Sequence, residues 1–124
     1  MKIKESAENY LETIYMLQKG AGAVRAVDIA NEMDFTPPSV SVAMKNLREN
    51  DFITADAGGF IILTEKGYKI AEKMYERHEF FAEWLKSLGV PEQTAVADAC
   101  KIEHVISAES FAAIKGAVSL APTS

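Results

Sequence analysis

Residues 26–63 read AVDIANEMDFTPPSVSVAMKNLRENDFITADAGGFIIL. The first part predicts a short helix over about 26–33, with Val27, Ala30 and Met33 on one side. Asp34 and Phe35 interrupt the period. Thr36 is a good N-cap, and Pro37 follows at the first helical position, where its missing N–H costs nothing. The next helix is predicted over about 37–50, with Val40, Ala43 and Leu47 as its inward stripe. From Phe52 the period changes, and two β-branched or aromatic runs flank Ala57-Gly58-Gly59, the pattern of a hairpin with a glycine turn. Helix, turn, helix and two-stranded hairpin make a winged helix-turn-helix.

Working outward, residues 6–19 predict a helix with Tyr10, Leu11, Ile14, Tyr15 and Leu17 as its apolar face. Ser6 suits its N-cap, Glu8 its first turn, and Gly20-Ala21-Gly22 its end. Downstream, Thr64 caps a long helix over about 65–87, whose stripe is Ile70, Met74, Phe81 and Leu85. Ser87-Leu88-Gly89 ends it, and Pro91 opens another helix to about Ile106. Ser107 then caps a last short helix with Gly116 as its stop, and residues 121–124 form a frayed tail. These later helices are too few for a second independent core and suit a dimerisation layer. The expected fold is mainly α, a winged helix-turn-helix domain at 1–63 followed by a helical domain at 64–124.

The 124 residues are 48% hydrophobic and 25% charged, an ordinary globular composition. With 13 Lys and Arg against 18 Asp and Glu, the net charge is −5, which argues against nucleic-acid binding through bulk charge. A local reading surface remains compatible with it. The single Cys100 excludes an internal disulfide framework, a four-thiolate zinc site and an iron–sulfur cluster held by one chain. It fits a reducing cytoplasm. The start, MKIKESAENYLETIY, has no apolar signal region, and no apolar run approaches the roughly 18 residues of a membrane span, so neither secretion nor a membrane partner is expected.

A recognition helix must show small polar or basic side chains at its N-terminal end. Thr36, Pro37, Pro38, Ser39, Ser41, Val42 and Lys45 meet that need: Ser39, Ser41 and Lys45 can reach phosphates or base edges, and Val42 a thymine methyl. The helix N-terminus itself attracts a phosphate. Between Thr36 and Asn50 the charges are Lys45, Arg48 and Glu49, a net of +1. The hairpin carries Asp56 and no Lys or Arg, while Lys2, Lys4 and Arg25 add to the footprint. The same segment also fits a winged helix used only for protein contacts.

Cys100-Lys101-Ile102-Glu103-His104 carries the sharpest chemistry. On a helix, positions i, i+3 and i+4 share a face, so a thiol, a carboxylate and an imidazole stand side by side, a donor set for a divalent transition metal. Taken alone, it equally describes a small buried thiol beside a surface Glu–His pair. His78 falls on the apolar stripe of the long helix, where it faces the same interior, and Asn9, Glu12 and Met16 form a polar-to-soft stripe on the first helix. Three helices can thus converge on one site. A thiol sensor centred on Cys100 is an alternative. A Cys100–His104 nucleophile and base is another, but no oxyanion-donor loop adjoins them and the chain is not expected to be an enzyme.

These residues resemble the diphtheria-toxin-repressor/manganese-transport-regulator family of metal-activated transcriptional repressors. The resemblance rests on ENYLETIYML at 8–17, DIA at 28–30, PSV at 38–40, LTEKG at 63–67, RHE at 77–79 and CKIEHVIS at 100–107. It covers residues 6 to about 117, and the combination of NYLE, RHE and CxxEH at these intervals is its specific part. It implies metal ligands at Glu12, His78, Cys100, Glu103 and His104. The position of Asn9 is a further ligand position, held by Asp in manganese regulators and Met in iron regulators; Asn offers an uncharged carbonyl there. Cys100 is the iron-type choice, where manganese regulators have a carboxylate, and a thiolate favours softer, later metals. Ala82 and Val96 stand where a secondary site would have ligands. The resemblance further implies a short two-domain form in which residues 64–124 bind metal and dimerise. Its expected cofactor is Fe(II) first and Mn(II) second, with Co(II), Ni(II) or Zn(II) substituting in vitro. Its expected partner is a palindromic operator of metal-uptake genes, bound by a homodimer whose recognition helices lie about 34–36 Å apart. Without metal, Glu12, Glu103 and a Cys100 thiolate would crowd negative charge, which a divalent cation removes.

Overall fold

The computed structural model describes residues 5–120. Lys2, Lys4 and the tail at 121–124 lie outside the described residues. Helix α1 is Glu5–Ala21, so Ser6 stands inside the helix and not at its cap. Gly20 continues the helix, and the stop falls at Gly22, whose φ of 84° places it in the left-handed region that glycine enters freely.

Helix α2, Ala26–Met33, ends at Asp34 in a left-handed conformation. Its inward residues are Ile29 and Ala30, and Val27 is 56% exposed, against expectation. Two positions along an α-helix rotate a side chain by about 200°, so once Ile29 turns inward Val27 must face out. Helix α3, Pro37–Glu49, starts as expected: the Thr36 hydroxyl oxygen accepts from the Ser39 backbone N–H at 3.4 Å. Its buried stripe is Val40, Met44 and Leu47, with Met44 taking the place expected for Ala43, which is half-buried. The longer side chain at i+4 fills the interior that the methyl would leave short.

Strands β1, Ile53–Ala55, and β2, Ile61–Leu63, pair antiparallel with Thr54 opposite Ile62. Asp56 closes the connection: one carboxylate oxygen accepts the backbone N–H groups of Gly58 and Phe60, each at 2.9 Å. The Val24 carbonyl accepts the Ile61 N–H at 2.7 Å, fastening the hairpin to the α1–α2 loop. Helix α4 runs Glu65–Ser87. At its start the Thr64 hydroxyl donates to the Asp51 carbonyl at 2.7 Å and accepts the Gly67 N–H at 3.1 Å. Helix α5 is Glu92–Val105, and Ser107 caps α6, Ala108–Leu120, by accepting the Ser110 N–H at 3.0 Å. Gly116 lies inside α6 and does not stop it. A glycine costs a helix interior about 1 kcal/mol, too little to end one anchored through Phe111 and Ile114.

The chain forms two compact units, one up to Tyr75 and one from Glu76 on, so α4 contributes to both. The first is built on Leu11, Ile14, Ile29, Val40, Leu47, Ile53, Ile61 and Ala71. Each large aliphatic side chain fully buried there contributes about 1.5–3 kcal/mol. Against expectation, the second unit has a core cluster of its own, Phe81, Ala82, Ala99 and Phe111, flanked by Phe80, Trp84, Ile102, Ile106 and Ile114, because aromatic side chains supply the buried area that few helices would otherwise lack. The Phe80 and Phe111 rings meet edge-to-face with centroids 5.5 Å apart. Ala82 is core, and Val96 is 38% exposed. No helix among the described residues is long and apolar enough to cross a membrane.

Candidate metal centre

The buried stripe of α5 is Ala95, Ala99 and Glu103, at i, i+4 and i+8. The two alanines make a smooth inner face, and one turn on the stripe meets a carboxylate with no exposure. A buried carboxylate requires a charge partner or hydrogen-bond donors. Neither oxygen of Glu103 has a hydrogen-bond partner among the described residues. Instead its oxygens lie near two imidazoles: Oε2 is 3.4 Å from His78 Nδ1, and Oε1 is 3.3 Å from His104 Nε2. The same His78 nitrogen lies 3.7 Å from Cys100 Sγ. One donor atom each from His78, Cys100 and Glu103 therefore falls within a common 4.8 Å.

Helical spacing accounts for the geometry. Cys100, Glu103 and His104 occupy i, i+3 and i+4 of α5, so all three lie on adjoining parts of its surface. Cys100 is exposed, Glu103 fully buried, and the His104 side chain without exposure. His78 reaches this group from α4 with a side chain 16% exposed. Contact with the Cys100 sulfur, and secondarily with the Glu103 carboxylate, raises the His78 imidazole from 6.5 to about 10, overcoming the burial that opposes it. A proton on His78 thus supplies the positive charge beside Glu103 when no cation is bound.

An imidazole, a thiol and a buried carboxylate flanked by imidazoles fit a divalent transition ion, borderline in softness. Of the residues singled out in the sequence, His78, Cys100 and Glu103 come together, with His104 against Glu103. Glu12 and Asn9 lie on α1, in the other unit, Glu12 buried and Asn9 half-buried. One residue at the site was not singled out: Arg77, next to His78, is 4% exposed and donates from one terminal nitrogen to the carbonyls of Glu103 and Ile106, at 3.1 and 2.8 Å. The RHE string contained it, but nothing in the spacing distinguishes a buried arginine from a solvated one.

In the first unit, Thr36, Pro37, Pro38, Ser39, Ser41, Val42 and Lys45 are all exposed, around the first two turns of α3. Val42 is 62% exposed, an apolar side chain that α3 leaves uncovered. The Thr36 hydroxyl donates to that of Ser39 at 2.9 Å, which orders the helix start. Beside the hairpin, the Arg25 guanidinium lies 4.4 Å from the Phe60 ring centroid, so this cation is held at the wing.

Comparison with known sequences finds two family matches. The family described as "Iron dependent repressor, N-terminal DNA binding domain" matches residues 2–56, and "Iron dependent repressor, metal binding and dimerisation domain" matches residues 64–119. The HTH-type transcriptional regulator MntR of Shouchella clausii is 36% identical over 102 residues, covering 82% of this chain and 71% of its own. MntR of Bacillus subtilis is 34% identical over 106 residues, covering 86% and 75%. Among solved structures, the manganese regulator SloR superposes with a TM-score of 0.81 at 24% identity, over 98% of this chain. The chain spans 56% of the SloR chain, and the likeness is one of fold.

Proposed function

Since the chain belongs to the iron-dependent repressor family of metal-dependent, DNA-binding transcriptional regulators, we propose that it represses metal-uptake genes when His78, Cys100, Glu103 and His104 hold Fe(II) or, second, Mn(II). The observation that carries this reading is the fully buried Glu103 carboxylate between two imidazoles with a thiol alongside. Glu12, and the uncharged carbonyl of Asn9, join the ligand set by family correspondence. The metal supplies the positive charge that this donor set calls for. The residues themselves orient it: α5 fixes three donors on one surface and α4 brings the fourth.

The division follows 1–63 for reading DNA and 64–124 for binding metal and dimerising. Two recognition helices about 34–36 Å apart match a palindromic operator, with Thr36, Pro37, Pro38, Ser39, Ser41, Val42 and Lys45 presented to it. Cys100 and His104 act as ligands and not as nucleophile and base, and the chain works in the cytoplasm, where the thiol stays reduced.

The test is a mobility shift on an operator from the protein's own promoter, with chelator and with anaerobic Fe(II) or Mn(II). Binding only with metal is expected, and equal binding in both overturns metal activation. Glu103→Ala is expected to abolish the metal response; a variant that kept it would remove the site assignment.

A further inference from the structure

Among the described residues of the second unit, Arg77 is the one charged residue that is buried without being in the donor set. Its position is unusual for a guanidinium. One terminal nitrogen bridges the carbonyls of Glu103 and Ile106, while Cζ lies 5.4 Å from the Phe111 ring centroid on α6. Its Nε has no hydrogen-bond partner among the described residues. The last carbonyls of a helix lack intrahelical partners. At α5 the Ile102 carbonyl is taken by the Ile106 N–H, and the Glu103 carbonyl by Arg77. A cation at this end also meets the negative end of the helix dipole.

The consequence concerns the donors. Arg77 adjoins His78 in the chain and grips the backbone of Glu103, so one side chain ties the α4 donor to the α5 donor. Resting on the metal-centre reading above, we infer that Arg77 is a positioning residue: its two-carbonyl clamp holds Glu103 and His78 at the separation the metal needs. It touches no ligand atom of the ion. Removing the clamp takes the donor from the buried Glu103 carbonyl and the part-buried Ile106 carbonyl, and the last turn of α5, which carries Glu103 and His104, loses its register against α4.

The experiment titrates the full chain with Co(II) under anaerobic conditions. Wild type is expected to show d–d bands and a thiolate-to-cobalt charge-transfer band that Cys100→Ser removes. If wild type lacks the latter, the metal-centre reading fails and the inference falls with it. Given that band, Arg77→Met is expected to weaken Co(II) binding roughly 10–100-fold and to shift the d–d bands, with helical circular dichroism retained. Arg77→Lys, which keeps the charge and a donor, is expected to recover part of both. Wild-type affinity and band positions in Arg77→Met overturn the inference. Should that variant fail to fold, Arg77→Lys decides: weakened binding with shifted bands supports the clamp, and a wild-type spectrum with wild-type affinity overturns it. A role in stability alone would lower the metal-free melting temperature and leave the bands where they are.

Discussion

At position 103 a carboxylate with no exposed surface continues a stripe begun by Ala95 and Ala99. The neighbouring His78 balances it by holding a proton up to about pH 10, raised from 6.5. Because the folded value is the higher one, this contribution to metal-free stability is complete below about 6.5 and is lost as pH rises through 10. The thermal midpoint of the metal-free chain should therefore fall over that interval, and His78→Gln should flatten the fall. With His78 a ligand as proposed, metal displaces the same proton, so apparent affinity should rise on the order of tenfold per pH unit across the same window. Isothermal titration in buffers of different ionisation enthalpy would count the proton released. On the proposed ligand set, the donor type at position 100 sets metal preference: Cys100→Asp should move selectivity from Fe(II) or Co(II) toward Mn(II), read as the ratio of dissociation constants.

Two glycines separate the helix elements by what surrounds them. A Cβ at Gly67 would collide with the Phe52 carbonyl, where α4 starts against the hairpin strand. Gly67→Ala should destabilise by about 1–3 kcal/mol in urea unfolding, reversing the gain of helix propensity. Gly116 in α6 has nothing among the described residues within 4 Å of such a Cβ. Gly116→Ala should therefore stabilise by roughly 0.5–1 kcal/mol. These opposite signs test whether Gly67 is a packing residue and Gly116 a bystander. The α3 cap belongs to this scale as well: Thr36→Ala removes an acceptor for the Ser39 N–H and should cost about 1 kcal/mol.

For the whole molecule, the net charge of −5 and the +1 recognition segment set the terms of DNA binding. So few cations should neutralise few phosphates, and the salt dependence should be shallow, with log K falling at about 0.9 per phosphate contact. Lys45→Ala should weaken operator binding uniformly across sequences and reduce that slope by about one per recognition helix. Val42→Ala should instead relax discrimination at a single base pair, with the slope unchanged. Fluorescence anisotropy at several salt concentrations separates the two.

The sequence alone determined whatever depends on local period and caps. Thr36-Pro37 opened α3, Thr64 opened α4, Ser107 opened α6, and glycines flanked by β-branched runs marked the hairpin, because each acts through its own backbone neighbours. The shared face of Cys100, Glu103 and His104 on α5 was legible for the same reason: i, i+3 and i+4 adjoin on any helix. Tertiary structure decided which of several apolar residues turned inward. Ile29 displaced Val27, and Met44 took the stripe from Ala43, because a packed interior selects by volume and direction. It let α6 run through Gly116, since packing outweighs propensity. It also revealed Asp56 as the residue that closes the wing. Above all it put Arg77 on the carbonyls of Glu103 and Ile106, 26 and 29 positions away. No local pattern encodes a bond of that span; it exists only once α4 and α5 have packed.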